Sequence, residues 1–202
     1  MLLLYLNHEL GYDRWHPELA KVYKVSLRGE EDILRRTPAP LAALLRDNAS
    51  QIEAATKISA DARYETPLSF AEKTVTQPGV ISADSLFFKV FPYKIVAGDA
   101  LAPLNKPNAM VINEGIAAKL FGSENPIGKA IKVYNSYDCE VTAVMEQPEG
   151  PTHLDIQVVH RSPYEKNNYH RQNWSGRHCP ASIHLSARCW NPGSMSTYRP
   201  LY

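Results

Sequence analysis

The stretch Gly122-Ser123-Glu124-Asn125-Pro126-Ile127-Gly128-Lys129 is the first place where residue types and spacing suggest chemistry. A glycine-rich loop that ends in lysine is the kind of segment that cradles phosphate. Three features count against that use. Five residues separate the two glycines where a nucleotide loop has four, Ala130 stands where a magnesium-binding hydroxyl belongs, and the segment follows a helical pattern instead of a strand. Gly122 is placed to end a helix, with Pro126 just beyond to stop it, so a structural turn is expected.

His178, Cys179, His184 and Cys189 offer donors for zinc, but their spacing matches no pair of ligand knuckles, and no metal site is expected from them. Cys139 falls inside a strand pattern and is expected to be a buried, small apolar side chain. The carboxylates of Glu30-Glu31-Asp32 and of Glu146 and Glu149 lie in loop-like surroundings and are expected to be solvated. The chain contains no Gly-x-Ser-x-Gly elbow and no His-Glu-x-x-His pair. No catalytic, cofactor-binding or metal-binding residue is therefore assigned, and the chain is not expected to be an enzyme. Phe87, Phe88, Phe91 and Tyr93 are expected in the core, a lipid- or peptide-facing patch being the alternative.

The surrounding sequence is that of an ordinary folded body. Its 202 residues are 44% apolar and 21% charged, close to the averages for globular domains. The formal charge of +1 gives no global pull toward nucleic acid, and no apolar stretch approaches the roughly 20 residues that span a bilayer. The charge is divided unevenly: residues 1–159 carry 16 basic and 20 acidic side chains, whereas residues 160–202 carry 6 and 1. Such a shift marks a boundary, a tail or sequence of another origin. At the other end, Met1-Leu2-Leu3-Leu4-Tyr5-Leu6 lacks the basic start of a secretory signal. It is either a short packed element or the last turns of a membrane helix.

Hydrophobic periodicity places the elements between. Val22 to Leu27 alternates as a half-buried strand, and Thr37-Pro38 is expected to open a helix carrying Leu41, Leu44 and Leu45. Ile52 to Ile58 is a strand, giving a first strand–helix–strand unit. Residues 61–79 are polar, broken by Pro67 and Pro78, and expected to form a hairpin or loop. Asp84-Ser85 is expected to cap a short helix, and Gly98-Asp99 to turn the chain after an extended run from Tyr93. Ala109 to Ile112 is a buried strand that ends at Asn113, a helix cap for residues up to Phe121. Ile131–Tyr134 and Glu140–Met145 are strands about a turn at Asn135-Ser136, and Leu154–Val159 is the last. The fold class expected is α+β, with mixed sheets built from strand–helix–strand units.

Taken in order, these segments resemble the extracytoplasmic core domain of MacB-like, FtsX-like ABC transporter permeases. The likeness rests on Glu9-Leu10-Gly11-Tyr12-Asp13-Arg14-Trp15-His16 after the opening apolar run, on Lys21-Val22-Tyr23-Lys24-Val25, and on Phe87-Phe88-Lys89-Val90-Phe91 followed by Ala97-Gly98-Asp99. Its most specific piece is Ala118-Lys119-Leu120-Phe121-Gly122-Ser123-Glu124-Asn125-Pro126-Ile127-Gly128-Lys129. Val141-Thr142-Ala143-Val144 and Pro151-Thr152-His153-Leu154 follow in the same order.

The resemblance implies that residues 1–10 are the end or stub of a membrane helix and that residues 11–176 form a periplasmic core domain. It implies two lobes, a membrane-proximal α/β lobe near residues 11–60 and 100–160 and a smaller β-rich lobe near 61–99. Residues 177–202, with Pro180, Pro192 and Pro200, depart from the family pattern and have the character of a disordered or foreign tail. The implied function is non-catalytic: transmission of ATP-driven motion of membrane helices to export or envelope processes, at the periplasmic face of the bacterial inner membrane. The implied partners are the ATP-binding subunit of the transporter, a periplasmic adaptor or envelope protein, and a second copy in a homodimer, with no nucleic acid and no cofactor. Two other readings stand beside it. One is a stand-alone peptide- or lipid-binding module using residues 87–93, and the other a small metal-dependent enzyme using the His- and Cys-rich tail.

Overall fold

The computed structural model describes residues 15–25, 27–28, 33–34, 37, 41–59, 64–150, 152, 155–161, 181–187 and 198–200. A single 3-10 turn, Pro17–Lys21, leads into β1 (Val22–Val25). β2 (Leu27–Arg28) and β3 (Ile33–Leu34) pair with each other as a separate two-stranded sheet. Helix α1 spans Leu41–Asn48 and is followed by β4 (Ile52–Ser59). The helix begins later than the Thr37-Pro38 signal predicts. Thr37 instead makes an isolated bridge and is fully buried.

The polar stretch 61–79 contains a hairpin of β5 (Thr66–Phe70) and β6 (Lys73–Gln77), and β7 (Val80–Ala83) follows. Asp84-Ser85 does not cap the next helix: the N-cap of the four-residue α2 (Phe87–Val90) is Leu86, with no side-chain cap, and Asp84 instead closes the preceding turn, its Oδ1 accepting the Leu86 N–H at 3.1 Å. β8 covers Ile95–Gly98 and β9 Ala109–Asn113. Asn113 caps α3 (Glu114–Phe121) as expected, its Oδ1 accepting the Ile116 N–H at 2.8 Å. β10 (Ala130–Val133) and β11 (Tyr137–Met145) are joined by a turn in which both Tyr134 (φ 52°) and Asn135 (φ 53°) are left-handed, the geometry that suits a tight hairpin. β12 (Val158–His160), β13 (Ala181–Ala187) and β14 (Tyr198–Pro200) complete the described elements.

Twelve of these strands form one mixed sheet in the order β14-β1-β13-β4-β7-β12-β9-β11-β10-β5-β6, with β8 on β11. β9 with β11 and β7 with β12 run parallel, and the other pairs are antiparallel. Strands from residues 109–160 form the contiguous run β12-β9-β11-β10, and strands from residues 66–98 border it: β7 lies beside β12, β5 lies on β10, and β8 pairs with β11. Residues 181–187, within the segment of atypical composition, run antiparallel to both β1 and β4.

The central strands bury both faces, which explains why Ala109 to Ile112 is a continuous apolar run. On one face Ala109, Val111, Ile81 and Val159 meet the aromatic residues of α2; on the other Met110, Ile112, Val80 and Val158 meet Ile116 and Leu120 of α3. β11 serves both faces through a bulge between Val141 and Ala143. Cys139 and Val141 point to the α3 side, whereas Ala143 and Met145, in the same alternating phase, point to the α2 side. Thr142, the extra residue, donates through Oγ1 to the carbonyls of Pro103 (2.6 Å) and Met110 (3.0 Å), which fixes the bulge in place.

Candidate functional site

The feature that best suits a role outside the core is where the first described residues dock on the domain. Trp15 precedes the 3-10 turn, and the adjacent His16 caps that turn, its Nδ1 accepting the Glu18 N–H at 3.3 Å. The Trp15 ring lies 4.9 Å from the ring of Tyr93. Tyr93 continues at 6.1 Å to Phe87, which stacks on Phe91 at 5.0 Å. Phe87 and Phe91 are fully buried. A ladder of rings thus connects the start of the domain to its core, with separations in the range where aromatic pairs attract. β8 begins immediately after Tyr93 and is tied to β11, where the Glu146 N–H donates to the Lys94 carbonyl at 2.8 Å. Above that bond the Lys94 ammonium meets the Glu146 carboxylate at 2.7 Å, and this partner raises the pKa of Lys94. Trp15, Tyr93, Lys94, Glu146 and Glu149 line an open cleft of about 310 Å³.

Arg161 fastens the chain after β12. Its N–H donates to the Ala109 carbonyl at 2.8 Å, and its guanidinium donates to the carbonyls of Asn105 (2.7 Å) and Leu104 (3.3 Å). The segments at Trp15 and at Arg161 are therefore both held by contacts to the sheet and its loops.

The glycine-rich segment behaves as a turn. Gly122 has φ 64°, and its N–H donates to the Ala118 carbonyl at 3.0 Å, ending α3. The Lys129 ammonium is paired with Glu124 and lies 5.3 Å from the ring centres of both Phe70 and Phe121, so it clamps the β5–β6 hairpin onto α3. The same contact lowers the pKa of Glu124.

Cys139 is fully buried, and burial, helped by Asp138, pushes its thiol up to about 12. Of the four donors in the tail, only the backbone of His184 is described, on β13; His178, Cys179 and Cys189 lie outside the described residues, as do Glu30, Glu31 and Asp32. Among the described residues no group of three or more His, Cys, Asp or Glu stands together as metal ligands do. Phe87, Phe91 and Tyr93 are buried and Phe88 is half-buried against them, so the aromatic segment is core and offers no free patch. The Trp15–Tyr93 cleft and the Arg161 latch went unseen in the sequence. The hint the sequence offered was the position of Trp15 shortly after the opening apolar run.

Among the described residues no helix is long and apolar enough to cross a membrane. No curated protein matches the chain in sequence. Solved structures share its fold. A domain of a protein described as a permease, from Porphyromonas gingivalis, superposes with a TM-score of 0.74 at 16% identity, covering 92% of this chain and 93% of that one. The periplasmic region of MacB from Actinobacillus actinomycetemcomitans gives 0.60 at 17% identity over 85% and 76%. The extracellular domain of the noncanonic ABC-type transporter YknZ from Gram-positive bacteria gives 0.57 at 13% identity over 83% and 83%. In sequence, residues 11–177 match the family described as MacB-like periplasmic core domain, and the chain belongs to that family.

Proposed function

We propose that the chain is the extracytoplasmic domain of an ABC transporter permease, at the periplasmic face of a bacterial inner membrane, and that it passes on motion generated elsewhere without catalysing a reaction. The observation that carries this reading is the family match over residues 11–177, which leaves out the apolar run at the start. In this reading residues 1–10 end a membrane helix and residues 11–176 form the domain. The ATP-binding subunit moves the membrane helices, and the domain's further partners are a periplasmic adaptor or envelope protein and a second copy of itself.

The ring ladder from Trp15 to Phe91 supports the mechanical part. A close-packed core deforms little, so displacement of a residue stacked on it moves the body as a whole. Hydrogen exchange in the reconstituted transporter tests this. Residues 15–25 and 92–98 should exchange differently when the ATP-binding subunit holds ATP than when it holds ADP, and identical exchange in the two states would sink the relay. A membrane-impermeant maleimide on Ser85→Cys, an exposed position, tests the location. Labelling of intact spheroplasts is expected, and labelling only after lysis would overturn the placement. Nucleotide turnover by the purified chain alone would overturn the non-catalytic reading.

A further inference from the structure

The cleft at Trp15 has the composition of an ammonium site. Two carboxylates, Glu146 and Glu149, and one ammonium, Lys94, line it, so the lining is net negative, and the half-buried Trp15, backed by the buried Tyr93, supplies an aromatic wall. Carboxylates and aromatic faces together attract organic cations, the former by charge and hydrogen bonding and the latter through the ring quadrupole. A volume of about 310 Å³ is at the lower end for small-molecule sites and accommodates a headgroup, though not a folded peptide. Lys94 is already paired with Glu146, but its side chain is 73% exposed, which leaves N–H donors for a phosphate at the rim.

From these features we propose that the cleft holds the ammonium of a zwitterionic aminophospholipid headgroup such as phosphatidylethanolamine, with Glu149 and the Trp15 wall around the amine and Lys94 toward the phosphate. This rests on the membrane-flanked placement proposed above, because that placement brings Trp15 and His16 beside the lipid surface. The same chemistry is offered by a soluble aminoalkyl phosphate, and the test separates the two.

The full chain is sedimented with phosphatidylglycerol vesicles that either contain or lack phosphatidylethanolamine, as wild type and as Glu149→Gln, with soluble phosphoethanolamine as competitor. Phosphatidylethanolamine should increase binding, and Glu149→Gln should weaken that increase by about tenfold, the scale of one lost charge contact and its hydrogen bond. Phosphoethanolamine should compete. If the cleft merely repels an anionic surface, Glu149→Gln will strengthen binding, and the opposite sign overturns the proposal. Competition by phosphoethanolamine with no response to phosphatidylethanolamine in vesicles would overturn the lipid assignment. Trp15→Leu gives a second variant that removes the aromatic wall while leaving every charge in place, and unchanged headgroup preference in it would also count against the site. Spheroplast labelling of Ser85→Cys is independent of these outcomes, so failure of the headgroup site is distinguishable from failure of the extracytoplasmic reading.

Discussion

The Thr56 hydroxyl donates to Asp84 Oδ1 at 2.7 Å, joining the middle of β4 to the turn after β7, 28 positions further along the chain. Asp84 also accepts the N–H groups of Lys57 (3.3 Å, through Oδ2) and Leu86 (3.1 Å). One carboxylate therefore fixes a strand, a turn and the start of α2. Thr56 is fully buried, so removal of its acceptor strands a hydroxyl away from water. Asp84→Ala should destabilise the domain by about 2–3 kcal/mol in urea unfolding, the scale for lost hydrogen bonds to a charged group. Thr56→Val, which removes the buried hydroxyl itself, should cost less. A loss under about 0.5 kcal/mol for Asp84→Ala would show that the contact is not supporting the fold.

His160 links stability to acidity. It is buried on β12, its Nδ1 has no hydrogen-bond partner among the described residues, and burial lowers its pKa from 6.5 to about 4. The folded state therefore holds the neutral ring, while the unfolded chain takes up a proton near pH 6.5. Stability from this residue is complete above pH 6.5 and declines as pH falls toward 4, by about 3 kcal/mol in total. Urea midpoints measured from pH 7 to pH 4 should fall for the wild type and fall less for His160→Gln. Parallel pH dependence in the two proteins would assign the effect to other groups.

Gly98 is required by close approach as well as by backbone angle. At φ 88°, a Cβ there would lie 2.3 Å from the Thr142 carbonyl oxygen and 2.7 Å from Ala143 Cα, both of them backbone atoms of β11. Neither can move without disturbing the bulge. Gly98→Ala should cost more than about 2 kcal/mol and loosen β8, visible as faster hydrogen exchange at the Asp99 N–H, which donates to the Thr142 carbonyl. Wild-type exchange and stability in this variant would mean that the strands separate readily there.

Cys139 should be chemically silent in the folded protein. Burial keeps its thiol protonated, with a pKa of about 12, and the thiolate is the reactive form. Iodoacetamide at pH 8, followed by peptide mapping to separate Cys139 from Cys179 and Cys189, should label it only as fast as the domain opens. Rapid modification without denaturant would contradict its place in the core.

Much of the local structure is legible in the chain. Asn113 before an apolar helix, Gly122 after it and the Asn135 turn each impose geometry through their own backbone or side chain. The cap at Ile116 and the left-handed residues at the ends of α3 and β10 follow directly. The ordered set of such segments was also enough to point to the family.

What the sequence by itself determined is therefore many of the elements between Val22 and Val159, the two-sided burial implied by apolar runs such as Ala109 to Ile112, and the family; β13 and β14 were not among them. Tertiary structure alone decided where each strand lies, since pairing such as β7 between β4 and β12 is settled by which faces are jointly covered and not by any local preference. The bulge at Thr142 is of the same kind: period-two alternation would send Val141 and Ala143 to one face, and only the partner strands and the Pro103 carbonyl reveal that they part. The cleft is the extreme case. Trp15 and Tyr93 are distant in the chain, no local signal pairs them, and their rings meet because α2 turns its aromatic residues toward the core beneath the first turn of the domain.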